Sequence, residues 1–481
     1  MKLRKDSSVS VSRYGCRFLR LRHALLSLLL TGVWLVSHVW GQSPQADAPR
    51  ARVALLQVEV PRQLTLETAE QLFVQNNLAV IAARYGVDNA RAQRLIASVR
   101  PNPTLTLGAE AFDLRAPGRH LFSNSDSASN RLYTVRLDQV FERGNKRALR
   151  TAAAEFQVQV AEAQVLDTIR TQLLQLRQAF STAVLARANV RVAQENIDLT
   201  NDTERLITTR VAAGDAPEWD LIKFQTNKVQ FQRDLAAASL AYQQAVRDVL
   251  TLMGAAFPLG GSVTPPAGAP PMAPSLRDAP LEVIGELRAE LLTVSIVLED
   301  LRQAALTTRP DVLAAQRNIA AAQRNLDLAY AQRHRDVDVA VEYQRNGGDN
   351  TVGATVSFPL LLSHKFEGQI NQGLAQVQQA QVAFEQAKLQ AITEVEKAYQ
   401  AYQASQQVLQ VYTTEALAKA EASFRIAGVS YRQGATSLLE LQDAQRTLNQ
   451  TRVAANQASF DYRMSLYQLE QATGKSLMQP Q

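Results

Sequence analysis

Two stretches of this chain, 220 positions apart, interrupt long helix-forming runs in the same way. The first is Arg210-Val211-Ala212-Ala213-Gly214-Asp215-Ala216-Pro217-Glu218-Trp219-Asp220-Leu221, and the second is Ser430-Tyr431-Arg432-Gln433-Gly434-Ala435-Thr436-Ser437-Leu438-Leu439-Glu440-Leu441. In each, a Gly able to adopt the left-handed conformation ends one helix, and an acidic residue six positions on lies inside the next. Each stretch reads as the tip of an antiparallel helical hairpin. Two hairpins at one offset mean a duplicated chain, and this duplication restricts the fold more than any other feature.

The flanking sequence supports a rod-like arrangement. The run from about Lys146 to Arg210 carries a seam at Val158, Val165, Ile169, Leu173, Leu176, Phe180 and Val184. Its counterpart, about Lys365 to Ile426, carries Ala380, Phe384, Ala387, Ala391, Val395, Ala398, Tyr402, Leu409 and Tyr412. Spacings of mostly three and four belong to helices packed side by side. Each long helix of roughly 65 residues spans about 100 Å. Return helices are expected over about Pro217–Met253 and Ser437–Thr473, and one helix over Leu66–Val99 before Pro101 and Pro103 stop it. Leu298 to Gln316 aligns without a gap on Leu66 to Arg84. A short helix end to end with a return helix matches one long helix. The aromatic content of 6% suits such packing better than a globular interior.

Between helices the hydrophobic period drops to two. Thr104–Ala111, Tyr133–Asp138, Asp336–Tyr343 and Thr351–Phe358 alternate polar and apolar, and Asn346-Gly347-Gly348-Asp349 is a hairpin turn. Arg136 and Asp138 share one strand face, as do Asp336, Asp338 and Glu342, so that side needs water. Strands of about nine residues can cross an outer membrane when tilted. Four strands leave open edges that lipid does not tolerate, and membrane barrels need about eight or more. One copy cannot supply them, and three supply twelve. The alternative is a small soluble sheet capping a helical bundle.

Residues 1–41 combine seven cations and Asp6 with the apolar run Ala24–Val36, which reads as a secretory signal peptide cleaved near Gly41; a retained anchor is the alternative. That leader carries the whole net charge of +6, so residues 42–481 sum to zero and no nucleic-acid partner is implied. Cys16, the single cysteine, lies before the apolar run, which leaves a mature chain without disulfide or thiolate metal site. Residues 42–61 read as a loose arm, 62–257 as the first repeat, 258–290 as a Pro-rich linker whose Pro258–Pro280 stretch is a linker or surface loop and no core element, and 291–481 as the second repeat. Seven of the seventeen prolines fall between Pro258 and Pro280. The five histidines show no ligand spacing, and no HExxH, phosphate loop or nucleophile elbow occurs. We expect no catalysis, no cofactor and no metal site.

In this order and duplication, the motifs resemble the TolC-like outer-membrane factors of tripartite efflux and type I secretion systems. The likeness covers about residues 62–475. It rests on Gly214…Asp220 and Tyr431…Gly434…Glu440, on Arg309-Pro310-Asp311-Val312, and on the paired ends Leu252-Met253-Gly254 and Ala472-Thr473-Gly474. Asp138–Arg147 and Arg100-Pro101-Asn102-Pro103 lean toward the CzcC-like branch that serves heavy-metal exporters. The resemblance implies a mainly α homotrimer, with a periplasmic α-barrel and a twelve-stranded β-barrel of four strands per protomer in outer-membrane lipid. It also implies docking to a periplasmic adaptor (membrane fusion protein) and an inner-membrane pump of the RND type. By the same resemblance, Asp220 and Tyr431 hold the inner aperture closed. The family's third gate residue, an arginine, is Thr436 here, with Arg432 or Arg210 as replacements. Glu440 and Asp443 match acidic positions lining the tip; spaced i and i+3, they share a helix face and in a trimer form cation-favouring rings. The plainer readings are a solvated face for these carboxylates and hairpin packing for Tyr431. Competing functions are a periplasmic adaptor, a pore-less coiled-coil scaffold and a protein-secretion duct.

Overall fold

The computed structural model describes residues 60–110, 132–255, 281–287, 297–361 and 365–476. The leader with Cys16, most of the N-terminal arm, the 116–130 loop and the proline cluster lie outside the described residues. In chain order the elements are β1 (Gln63–Leu64), α1 (Leu66–Asn76), α2 (Leu78–Ser98), β2 (Thr104–Glu110), β3 (Leu132–Phe141), α3 (Lys146–Ala212) and α4 (Glu218–Leu252). The second repeat follows as β4 (Glu282–Val283), α5 (Leu298–Thr308), α6 (Pro310–Ala331), β5 (Val337–Asn346), β6 (Asp349–Ser357), α7 (Glu367–Val411), a π-helical turn (Tyr412–Ala416), α8 (Leu417–Arg432) and α9 (Leu438–Thr473).

The helix expected over Leu66–Val99 is two helices broken at Asn77. Its ψ of 123° leaves the helix, and its side-chain oxygen caps the next one by accepting from Ala79 N and Val80 N. The same break recurs at Arg309, ahead of Pro310, where proline disfavours helical geometry in the preceding residue. Each break residue also reaches across to the end of its own return helix. Asn77 Nδ2 donates to Leu252 O (2.8 Å), and Arg309 Nη1 donates to Ala472 O (3.0 Å). These carbonyls belong to the last turns of α4 and α9 and lack intrahelical partners. The joint between short and return helix is thus made twice, with different side chains doing equivalent work.

Helix α3 packs against α1, α2 and α4 of its own repeat and against α6 and α9 of the other, while α7 packs against α5, α6 and α9. The seams fill two cores. Phe73, Leu176, Phe180, Tyr242, Val246 and Met253 form the first, and Leu301, Val395, Tyr402, Tyr462 and Leu469 the second. A third cluster, at the tips, draws on both repeats: Ile207, Phe224, Tyr431, Leu438 and Leu441. The linker expectation needs correction at its end. Leu281 and Val283 are buried in the first core, and β4 pairs in parallel with β1 through Gln63↔Glu282 and Leu64↔Val283. The long helix of the second repeat also differs from its twin, since a π-helical turn interrupts it on the tip side of its middle.

The four longer strands form one antiparallel sheet in the order β2-β3-β5-β6. Its register sorts the side chains. Leu105, Leu137, Val341 and Ala354 form one rung, and Leu107, Val135, Tyr343 and Val352 another on the same face. That face is bare, with Leu107 71% and Val352 77% exposed. The alternate rungs, Thr106–Arg136–Glu342–Gly353 and Gly108–Thr134–Gln344–Thr351, make the opposite face polar. There Arg136 bridges Asp138 (2.7 Å) and Glu342 (3.6 Å). Asp336, expected in this polar row, instead precedes β5 and binds Lys146 Nζ (2.8 Å) and Arg143 N (2.9 Å). Among the described residues β2 and β6 each pair on one side only.

Candidate functional site

Both hairpin tips end their long helices with the same double hydrogen bond. Asp215 N donates to Arg210 O (2.8 Å) and Gly214 N to Val211 O (3.0 Å); at the second tip Ala435 N donates to Ser430 O (2.9 Å) and Gly434 N to Tyr431 O (3.1 Å). This pattern needs a left-handed residue after the helix. Gly214 and Gly434 supply it with φ of +79° and +71°. Helix α9 then restarts with a reciprocal cap: Ser437 Oγ accepts from Glu440 N (3.4 Å) and Glu440 Oε2 accepts from Ser437 N (3.1 Å).

The two tips meet through Arg210. Its guanidinium lies over the Tyr431 ring at 5.0 Å, donates to Tyr431 O (3.0 Å), and donates to Asp215 O (3.3 Å). One cation therefore serves a carbonyl in the last turn of α8 and another just past the end of α3, where helix dipoles favour positive charge. Tyr431 is 3% exposed, its ring packed into the tip cluster. Burial raises its hydroxyl pKa, Arg210 opposes that rise and the Asp220 charge adds to it. Asp220, Tyr431 and Thr436 line one cleft of 250 Å³ together with Arg210 and Lys223. The structure thus brings these sequence-singled residues together with Arg210, one of the two candidate replacement arginines. Arg432 is exposed and lines a different groove.

Glu440 and Asp443 are exposed and open onto a 910 Å³ groove between α8 and α9, walled also by Ile426, Thr436 and Leu439. Glu440 is partly committed to its own helix cap, and Asp443 pairs with Arg446 at 2.8 Å. Among the described residues no cluster of three or more His, Cys, Asp or Glu could hold a metal ion, and no helix is long and apolar enough to cross a membrane.

Sequence reasoning missed the charged belt midway along the helices. Arg309, 1% exposed, binds Asp311 (2.7 Å) and Glu394 (2.7 Å). Arg177 joins Glu70 (2.7 Å) to Glu470 (2.6 Å), tying the first repeat to the end of the second. These partners are up to 293 positions apart, beyond any local signal.

Comparison with known proteins agrees with this geometry. The profile of the outer membrane efflux protein family matches residues 70–255 and 301–475. The cobalt-zinc-cadmium resistance protein CzcC of Cupriavidus metallidurans is 25% identical over 85% of this chain and 90% of its own length. The pyoverdine export outer membrane protein OpmQ of Pseudomonas putida is 24% identical over 78% of each chain. The crystal structure of CusC superposes with a TM-score of 0.66 over 85% of this chain and 92% of its own, at 18% identity, and so shares the fold. With duplicated hairpins, a two-faced sheet and a profile spanning both repeats, the chain belongs to the outer membrane efflux protein family.

Proposed function

We propose that this chain is one third of a passive exit duct in a tripartite efflux system of a Gram-negative cell. The observation that carries the reading is the sheet: one face is an exposed apolar surface, the other polar, and both edges lack partners among the described residues. Three such sheets edge to edge make a twelve-stranded barrel with lipid outside and water inside. The helices continue it as a periplasmic tunnel. The tips, with Trp219 68% exposed beside them, meet a periplasmic adaptor, and an inner-membrane pump of the RND type supplies the energy. Divalent metal ions are the cargo class favoured by the likeness to the cobalt-zinc-cadmium resistance protein. The likeness to a pyoverdine exporter favours an organic cargo instead. Deleting the gene separates the two: sensitivity to zinc, cobalt or cadmium is expected, and sensitivity confined to organic compounds would reverse the cargo assignment.

Purified protein should run as a heat-dissociable trimer and conduct in planar bilayers; a soluble monomer that passes no current defeats the proposal. In this reading Asp220, Tyr431 and Arg210 hold the tip end closed, with Arg210 replacing the arginine absent at Thr436. Arg210→Ala then raises resting conductance several-fold, whereas an unchanged closed level removes Arg210 from the gate. Glu440 and Asp443 form carboxylate rings, so Glu440→Gln with Asp443→Asn lowers cation preference in reversal-potential measurements. An unshifted reversal potential refutes the rings.

A further inference from the structure

We propose that the end of the sheet nearest the long helices is a binding surface for the anionic headgroups of phospholipids. The inference rests on the reading of the bare apolar face as lipid-facing. Connections between strands and helices gather at this end and are tied to one another. Arg143 N donates to Asp336 (2.9 Å), Arg333 Nε to Lys365 O (3.2 Å), Gln139 Nε2 to Pro101 O (3.0 Å) and Arg150 Nε to Ala97 O (3.0 Å). Every one of these connections contributes an exposed cation. They are Arg100 before β2, Arg143 after β3, Arg335 before β5 and Lys365 before α7, with Arg147 in the first turn of α3. None of the five has an acidic partner among the described residues, and two of the nearby carboxylates are already taken. Glu142 binds Arg150 (2.8 Å) and Asp336 binds Lys146 (2.8 Å). Glu367, two residues after Lys365, offsets part of the charge.

A second observation points to the same ligand chemistry. Helices α3 and α7 both begin in this band, and neither has a side-chain cap: Asn145 and Phe366, the residues before them, are left-handed at φ 58° and 61°. The positive ends of both helices favour a nearby anion. The band also adjoins apolar surface. Phe141 and Phe358 are each 53% exposed and Leu360 is 62% exposed, at the foot of the bare face. Unpaired cations beside exposed apolar side chains suit a ligand with a phosphodiester head and an acyl tail. Free phosphate offers only the first of these.

Each cation close to an anionic membrane surface contributes about five-fold in binding, so the collar amounts to a strong preference for charged lipid. The test is native mass spectrometry of the detergent-solubilised protein with equimolar phosphatidylglycerol and phosphatidylcholine. Wild type is expected to retain phosphatidylglycerol at least about five-fold over phosphatidylcholine, undiminished by millimolar inorganic phosphate. Arg143→Gln/Arg335→Gln/Lys365→Gln is expected to bring that ratio close to one with helical content and oligomeric state unchanged. Arg143→Lys/Arg335→Lys, which keeps the charge, is expected to retain it. Equal retention of both lipids by wild type, or an unaltered ratio in the glutamine variant, overturns the collar while leaving the membrane reading intact. Displacement by inorganic phosphate also overturns it and leaves a simple phosphate site. A protein that retains no lipid of either kind overturns the membrane reading itself, and the collar with it.

Discussion

Arg309→Ala is expected to cost about 3–5 kcal/mol, the usual penalty for stripping one partner from a buried ion pair. The side chain is 1% exposed and holds four oxygen atoms at once: both of Asp311 (3.1 and 2.7 Å), Glu394 Oε2 (2.7 Å) and Ala472 O (3.0 Å). Removing it leaves Glu394 without its cation, leaves Asp311 with only the more distant Arg170 (3.7 Å), and strips a donor from a helix-terminal carbonyl where the joint of the second repeat closes. Lysine retains the charge but cannot span the carboxylate of Asp311 as a planar fork does, so Arg309→Lys should fall between wild type and Arg309→Ala. The heat-dissociation temperature of the assembled protein measures the effect. Adding Glu394→Gln to Arg309→Ala should recover part of the loss, because the carboxylate left without a cation is then neutral. An Arg309→Ala protein as heat-resistant as wild type would show that the joint is held by packing alone.

The same belt sets an acid limit. Burial pushes the Asp311 carboxyl pKa up, but the hydrogen bond and charge of Arg309, with Arg170 behind it, outweigh burial, and the net shift is downward. A depressed folded-state pKa stabilises the fold fully above the ordinary aspartate range, and that contribution is lost as pH falls through the lower folded value. Asp311→Asn should therefore flatten part of the acid side of the stability profile.

What was legible in the sequence was local. Gly214 and Gly434 announce their tips because a left-handed residue after a helix is a property of two or three neighbouring positions. The alternation in β3 and β5 gave away the two faces of the sheet for the same reason. The break at Arg309 carries a signal in Pro310, and Asn77 is a good capping residue, yet periodic apolar positions ran through both and concealed them. Strand β4 was hidden more deeply. It sits directly after a proline-rich stretch, is two residues long, and is fixed by pairing with a partner 219 positions earlier. Arg210 was one of two candidates for the arginine missing at Thr436. The side-by-side placement of the tips, which no local signal announces, is what carries its guanidinium to the carbonyl of Tyr431, 221 positions away.

Val341→Arg and Gln344→Arg place the same side chain on one strand, three residues apart and on opposite faces of the sheet. Val341 is 53% exposed in the rung with Leu105, Leu137 and Ala354, near the middle of β5. If that face meets lipid, an arginine there costs ~2–4 kcal/mol per copy near the bilayer midplane. Three copies in one barrel multiply the penalty, so assembled protein should almost vanish from the outer-membrane fraction. Gln344 belongs to the polar face, beside the Glu342 carboxylate in the same alternation. An arginine there gains an acidic neighbour and faces water, so assembly should stay near the wild-type level while conductance shifts toward anions. The comparison controls for strand propensity, since host strand and guest residue are shared. Equal loss in both variants would mean that arginine disrupts a packed soluble sheet. Loss in Gln344→Arg alone would turn the sheet inside out, with lipid on the side of Arg136 and Glu342, and no arrangement of three copies could then make these strands a water-filled wall.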